Sequence, residues 1–212
     1  PVVATTREGF AEMFGEFGPE GLGWVVVDAA DRVAPPRVLK ALRVARRALT
    51  IGDSAERRTV TLPDRVLAGM ADAVDVEIGR EGAPDLVREA QRAGARVIAS
   101  HHDFGGTPGD EELAGVLAAM NHAGADVLKI ACAPRSGGDV ARVLTAGAWA
   151  REAYDRPVIA IAMGRLGGPT RFAGAALGGA ATFASVGGAS APGQYTAREA
   201  RTVLDIIEGA PQ

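Results

Sequence analysis

Several residue types are scarce in this chain, and each scarcity excludes a class of protein. Only one of the 212 residues is a cysteine, Cys132, so no disulfide can form within the chain and a reducing cytoplasm is the natural compartment. The longest apolar runs have the length of a strand, well short of the roughly 20 residues that a membrane-spanning helix needs. The first residues also lack the charged-then-apolar order of a secretory signal. The sequence therefore predicts a cytoplasmic protein without a membrane partner.

Lysine is the second scarce residue. Of the 23 basic residues, only Lys40 and Lys129 are lysines, and the other 21 are arginines. The net charge is −3 and the basic residues form no stripe, so nucleic-acid binding is not expected. Apolar residues make up 47% of the chain and charged residues 23%, which is the balance of a folded globular protein. No linker interrupts the sequence, so we expect a single domain over residues 1–212.

Strand-length and helix-length segments alternate along the chain. Most strand-length segments are continuous β-branched and apolar runs, which are typical of parallel strands covered by helices. The segments between them carry apolar residues three to four apart, which is the helical spacing. Eight such strands predict a (β/α)8 barrel, with a doubly wound open sheet as the alternative. The predicted strands are 2–5, 23–28, 48–52, 73–78, 96–100, 126–131, 157–163 and 180–185, and the predicted helices are 8–17, 36–48, 83–93, 110–122, 138–153 and 196–208.

Polar residues concentrate at the carboxyl ends of the later strands, where a barrel places its active site. Lys129 lies in the apolar sixth strand. Because burying an unpaired ammonium is costly, we expect an uncharged amine that can attack a ketone and form a Schiff base. The alternative is a lysine whose stem packs in the core while its head reaches solvent. His102 ends the neighbouring fifth strand and is a candidate general acid–base, or else a core histidine, while His101 points to the opposite side.

Two further polar residues follow glycine-rich turns. Arg171 follows a Gly-Gly-Pro-Thr turn and could hold a carboxylate through two hydrogen bonds, unless it is one more ordinary arginine. Gln194 lies in a Gly/Ser/Pro loop that could close over a site or be an ordinary connection. The run His-His-Asp at 101–103 raises the question of a metal site, but its spacing matches no strong metal pattern. Cys132 has no activating neighbour in sequence and is interpreted as a small buried apolar residue.

Four stretches carry these residues in order: VIASHHDFGGTP (97–108), GADVLKIA (124–131), the MG…G…TR loop (163–171) and GGAATFASVGGASAPGQ (178–194). Together they resemble the type I 3-dehydroquinate dehydratases, the Schiff-base class of the shikimate pathway. The resemblance implies a (β/α)8 barrel and a lyase that converts 3-dehydroquinate to 3-dehydroshikimate. It also implies that the protein forms a homodimer and that it binds a small-molecule keto/carboxylate substrate. No metal or organic cofactor is implied, because the lysine itself supplies the electron sink.

The resemblance also implies roles for individual residues. Lys129 would form the iminium with the ketone of the substrate. His102 would remove the proton next to the iminium carbon and help the hydroxyl to leave. Glu56 falls where the family has an acid that supports the histidine. The residues implied for substrate binding are Arg171 on the carboxylate and, from the closing loop, Ser190 and Gln194.

The first half of the chain departs from the family pattern. The second strand of the family ends in Glu-x-Arg-x-Asp, whose Glu and Arg contact the substrate, whereas here Trp24 and Val26 occupy those two positions. The third strand of the family ends in an arginine, where this chain has Gly52, and Arg57 or Arg58 could compensate only with a shift. Each lost polar partner costs roughly 1–3 kcal/mol. A relative using the same chemistry on a less polar ketone, and a non-catalytic barrel, are therefore the alternatives.

Overall fold

The computed structural model describes residues 2–5, 24–27, 48–50, 73–177, 179–186 and 193–208. This part of the chain contains eight strands and five helices. The strands are β1 (Val2–Thr5), β2 (Trp24–Val27), β3 (Ala48–Thr50), β4 (Ala73–Glu77), β5 (Arg96–Asp103), β6 (Val127–Cys132), β7 (Val158–Ala162) and β8 (Ala184–Val186). The helices are α1 (Ala83–Arg92), α2 (Asp110–His122), α3 (Gly137–Tyr154), α4 (Thr170–Ala176) and α5 (Ala197–Glu208).

The order of the strands distinguishes a barrel from an open sheet. All strands are parallel, each pairs with its sequence neighbour from β1 to β7, and β1 also pairs with β8. A doubly wound sheet would reverse this order at a switch point. The two ends of the series meet, because Val158 bridges Gly179 and the N–H of Ala180 donates to the carbonyl of Val158 at 2.8 Å. The prediction of a (β/α)8 barrel is confirmed, and the open-sheet alternative is wrong.

Alternation along the strands divides the apolar residues between two layers. The outer layer lies between strands and helices, where Leu128, Ile130 and Cys132 of β6 pack with residues such as Leu117 of α2 and Val143 of α3. The inner layer fills the barrel, because successive side chains of a strand point to opposite faces. We call its apolar members the inner cluster: Ala73, Ile98, Ala131, Ile159, Ile161 and Phe183.

Helix ends follow the signals in the sequence. Helix α2 begins with three acids in its first turn, which suits the helix dipole, and Gly124 follows its last turn with a φ of 83°, as a helix stop requires. Helix α3 begins with a capping box in which Ser136 and Asp139 satisfy each other's backbone N–H groups. Among the described residues, no helix has both the length and the apolar character to cross a membrane.

Among the described residues, three segments differ from the prediction by more than one residue at an end. Strand β5 runs to Asp103, three residues beyond the predicted end, because Asp103 still pairs with Cys132 of β6. Residues 180–183 precede β8 and do not belong to it. Helix α4 is absent from the prediction, since a Gly-Gly-Pro turn leads directly into it. The predicted helices 8–17 and 36–48 lie outside the described residues, apart from Ala48, which begins β3.

Candidate functional site

Five polar residues share the inner face of three adjacent strands. The register pairs Glu77 of β4 with Ser100 of β5, and Ser100 with Lys129 of β6. Asp75 and His102 lie two residues away from Glu77 and Ser100, so period-two alternation turns them to the same face. The inner cluster occupies the alternate inward positions around them. This polar group extends from the middle of the strands to the carboxyl ends of β4 and β5, on the side of the barrel where such folds place their active sites.

Lys129 is buried and paired. Its Nζ lies 2.8 Å from Oδ2 of Asp75, and the two side chains are 5% and 3% exposed. The same nitrogen lies 5.0 Å from the centre of the Phe183 ring. The alternative of a lysine head in solvent is therefore wrong. The expectation of an amine among apolar residues alone also needs correction, since Asp75 supplies a carboxylate that stabilises a positive nitrogen in this interior.

His102 is held by a carboxylate from the neighbouring strand. Its Nδ1 lies 2.7 Å from Oε2 of Glu77, and its backbone N–H donates to Oε1 of Glu77 at 3.1 Å. An ionised carboxylate only accepts hydrogen bonds, so this contact favours the tautomer with the proton on Nδ1, in which Nε2 has the lone pair. The Nδ1 of His101 lies 3.7 Å from Oε1 of Glu77, beyond hydrogen-bond distance. His102 is therefore the histidine that Glu77 holds by a hydrogen bond to its ring.

Arg171 is a buried cation without a carboxylate partner among the described residues. It is 4% exposed, and its Nη1 donates to the carbonyl of Phe183 at 3.2 Å. Its Nε has no hydrogen-bond partner in the described part of the chain. Burial lowers the pKa of the guanidinium from its ordinary value, while Tyr195 opposes this shift. Phe183 contacts both cations, because its carbonyl accepts from Arg171 while its ring lies beside Nζ of Lys129.

Glycines in the turn after β7 explain how Arg171 reaches the interior. Gly164 has a φ of 72°, which favours glycine, and a Cβ on Gly167 would lie 1.9 Å from the carbonyl oxygen of Ala162. The turn therefore folds back tightly onto the end of β7. Thr170 fixes it there, because its hydroxyl accepts from the N–H of Ala162 at 3.0 Å and donates to the carbonyl of Gly167 at 2.7 Å. Arg171 follows Thr170 directly, and its side chain is buried against the carbonyl of Phe183.

The segment that carries Gln194 packs on the same turn. A Cβ on Gly193 would lie 2.3 Å from the carbonyl carbon and oxygen of Gly164, so these two backbones are in contact. Gln194 is partly buried beside this contact. The structure thus places Lys129 and His102 on adjacent strands, and Arg171 and Gln194 on two segments that contact each other. Glu56 and Ser190 lie outside the described residues and remain predictions.

Asp75, Glu77 and Ser100 were missed as site residues, although the sequence carries a signal for them. The strand AVDVE is apolar except for two acids two positions apart, and that spacing places both acids on one face. Glu77, the second of these acids, holds His102. Cys132 is buried as predicted, and burial raises the pKa of its thiol to about 12.

Comparison with known proteins identifies the family. The type I 3-dehydroquinase family model matches residues 41–211, more than half of the chain. Among curated proteins, 3-dehydroquinate dehydratase of Klebsiella pneumoniae subsp. pneumoniae is 42% identical over 143 residues, which cover 66% of this chain and 57% of that protein. The protein of the same name from Salmonella paratyphi B is 41% identical over 146 residues, 68% of this chain and 58% of that protein. The aligned part therefore spans less than two thirds of these relatives.

Comparison with solved structures gives the same family. The 3-dehydroquinate dehydratase of Geobacillus kaustophilus superimposes with a TM-score of 0.84 at 26% identity, covering 100% of this chain and 92% of that one. The type I enzyme of Clostridium difficile, solved with covalently modified comenic acid, gives a TM-score of 0.80 at 25% identity, covering 100% and 93%. The barrel, the paired lysine and the held histidine thus occur in a chain that belongs to the type I 3-dehydroquinase family.

Proposed function

We propose that this chain dehydrates 3-dehydroquinate to 3-dehydroshikimate through an iminium formed on Lys129. The observation that carries the proposal is the placement of a buried amine and a carboxylate-held imidazole on the same face of adjacent strands. Family membership and the names of the similar proteins support the substrate and the reaction. The proposal includes a homodimer in the cytoplasm, which the family resemblance and the single cysteine favour.

The first step is attack of the amine on the ketone. Nζ of Lys129 must be uncharged to act as a nucleophile, and Oδ2 of Asp75, 2.8 Å away, is placed to accept the proton. Nζ then bonds to the carbonyl carbon, and one of its protons moves to the oxygen, which gives a carbinolamine. Asp75 returns the proton that it accepted to this hydroxyl, which leaves as water, and a positively charged iminium remains beside the ionised carboxylate. Because Asp75 stays buried beside that nitrogen, its negative charge stabilises the iminium as it did the ammonium.

The second step is elimination. Nε2 of His102 removes the proton next to the iminium carbon, and the electron pair moves into an enamine. The hydroxyl group on the adjacent carbon then leaves with the proton from His102, as water, and the iminium is restored. Glu77 stabilises the imidazolium that forms between these two transfers and keeps Nε2 directed at the substrate. Addition of water to the iminium releases the ketone product and regenerates the amine.

Substrate binding falls to the remaining predicted residues. Arg171 would hold the carboxylate, which would provide the partner that its Nε lacks among the described residues. Gln194, and Ser190 by resemblance, would contact the substrate from the segment after β8. Glu56 would support His102 together with Glu77. All four roles are tested by the KM and kcat of the corresponding alanine variants.

A second candidate substrate is a less polar ketone. Trp24, Val26 and Gly52 stand where the family has polar substrate contacts, and the family model begins only at residue 41. The chemistry of Lys129 and His102 would be the same, but the preferred substrate would differ.

The test is a dehydration assay on 3-dehydroquinate, in which the conjugated product is followed by its ultraviolet absorbance. We expect turnover by the wild-type protein, loss of turnover in Lys129→Ala, and retention in Lys40→Ala, the matched control at the other lysine. Absence of turnover by folded wild-type protein, together with imine formation on a less polar ketone, would favour the second candidate. Absence of both would contradict the proposed chemistry.

A further inference from the structure

We propose that Ser100 is a positioning residue that connects the two halves of the catalytic machinery. Its hydroxyl contacts both Asp75, the partner of Lys129, and Glu77, the partner of His102. The inference rests on the proposed function. It assigns a role to a residue whose side chain contacts the two carboxylates but makes none of the hydrogen bonds to the amine or the imidazole described above.

The strand register places Ser100 between the two groups. Glu77, Ser100 and Lys129 form one row across β4, β5 and β6, because Glu77 pairs with Ser100 and Ser100 pairs with Lys129. Neighbouring strands lie about 4.8 Å apart, so a side chain in the middle of such a row reaches both neighbours. Serine is small enough to leave room there for the long side chains on either side.

The hydrogen bonds complete the connection. The Ser100 hydroxyl donates to Oδ1 of Asp75, while Oδ2 of the same carboxylate accepts from Lys129. The hydroxyl also lies 3.3 Å from Oε2 of Glu77, the oxygen that contacts Nδ1 of His102. The series of contacts therefore runs from Lys129 through Asp75, Ser100 and Glu77 to His102 without a gap.

Burial makes this hydroxyl difficult to replace. Ser100 is 1% exposed, so bulk water does not reach the position to take over its hydrogen bonds. A hydroxyl has one proton and therefore donates to one carboxylate at a time. Removing it takes away the donor that the described residues provide to Oδ1 of Asp75, together with the contact that the hydroxyl makes with Glu77. Both carboxylates then adjust, and both the amine and the imidazole lose their fixed positions.

The experiment uses Ser100→Ala in the full chain and follows two separate readouts. The first is the rate at which borohydride traps 3-dehydroquinate on Lys129, which reports on the amine. The second is the 15N spectrum of the imidazoles, which is simple because the chain has only three histidines. Replacing each histidine with glutamine in turn assigns the three signals. Since a lost hydrogen bond to a charged group is involved, we expect trapping to slow roughly 10-fold. The signal of His102 should also move while that of His122 stays.

Further variants distinguish a role of the Ser100 hydroxyl in connecting the two carboxylates from a role of Ser100 in packing alone. Glu77→Gln should move the His102 signal and change the trapping rate less than threefold, on the order of 0.6 kcal/mol. Thr182→Val removes a partly buried hydroxyl that has no partner in the described part of the chain, and it should change neither readout. Ser100→Cys preserves side-chain size and offers a weaker donor, so both readouts should be intermediate. This comparison also decides the matter if the alanine variant does not fold.

The proposal is overturned if either readout keeps its wild-type value in folded Ser100→Ala, because a residue that connects the two carboxylates must affect both Lys129 and His102. It is also overturned if Thr182→Val has the same effect. Failure of the proposed function is a different result: wild-type protein would then show no trapping on Lys129 and no dehydration. The imidazole signals remain measurable in that case and still report whether Ser100 acts on His102.

Discussion

Replacing Glu77 with glutamine removes one negative charge from beside His102 and changes little else. The glutamine side chain has the same shape and keeps one oxygen that can accept a hydrogen bond. In the wild-type protein the carboxylate accepts from Nδ1 at 2.7 Å and from the backbone N–H of His102 at 3.1 Å. The variant therefore isolates the contribution of charge to holding the imidazole and stabilising its protonated form.

The magnitude follows from the contact. A hydrogen bond to a charged group contributes about 1.5–3 kcal/mol, against about 0.5–1.5 kcal/mol for a neutral one. The Glu77 side chain is 33% exposed, so solvent screens part of the difference. A loss near 1.4 kcal/mol corresponds to about a tenfold change in rate. We therefore expect kcat to fall roughly 10-fold while KM changes little, because Glu77 acts on the base.

Steady-state dehydration of 3-dehydroquinate measures both constants. The matched control is Glu89→Gln, which removes an exposed carboxylate from α1 and should leave kcat and KM unchanged. A thermal denaturation curve for each variant checks that the fold is retained. The reasoning would be refuted by a Glu77→Gln protein with wild-type kcat, or by one whose whole loss lies in KM.

Three further predictions concern binding, packing and the thiol. Arg171→Lys should raise KM roughly 10-fold or more, since an ammonium cannot make the two-point contact with a carboxylate that a guanidinium makes. Gly147→Ala should lower the free energy of unfolding by about 1–3 kcal/mol, because a Cβ there would lie 2.6 Å from that of Ala160. By contrast, Gly115→Ala, with no atom within 4 Å, should raise it by about 0.5–1 kcal/mol. Cys132, whose pKa burial raises to about 12, should resist alkylation at neutral pH until the protein is denatured.

The thiol also makes a signed prediction about stability. The folded thiol has a pKa of about 12 and the unfolded thiol one near 9.0, so the unfolded chain loses this proton first as the pH rises. The contribution of Cys132 is therefore constant below pH 9.0 and becomes increasingly unfavourable to the folded state between pH 9.0 and 12. Chemical denaturation of wild type and Cys132→Ala over this range measures the difference, and parallel curves would contradict the assignment.

Periodicity predicted the barrel well, because its strands are buried on both faces and appear as continuous apolar runs. The alternation of strands and helices could not separate a barrel from an open sheet, since both have the same local pattern. The pairing of β1 with β8 and the contact of Val158 with Gly179 and Ala180 decide between them, and both are long-range contacts. Local signals located α2 correctly, whereas α4 was missed because its Gly-Gly-Pro start is typical of a loop.

Part of the site could be predicted from the sequence, and the rest depends on long-range contacts, as for the barrel. Lys129 and His102 could be identified because each is an unusual residue in its segment. Their partners Asp75 and Glu77 are ordinary acids in sequence, and only the register between β4, β5 and β6 brings them to the amine and the imidazole. Arg171 is likewise buried next to a turn that packs Gly167 against Ala162, and this contact cannot be predicted from the local sequence.

Borohydride reduction in the presence of 3-dehydroquinate, followed by peptide mass analysis, tests the central claim most directly. The chain has only two lysines, so Lys40 is an internal control in every sample. We predict one adduct per chain, carried entirely by the peptide that contains Lys129 and absent from Lys129→Ala. An adduct on Lys40 alone, or no adduct from protein that dehydrates the substrate, would contradict the iminium mechanism.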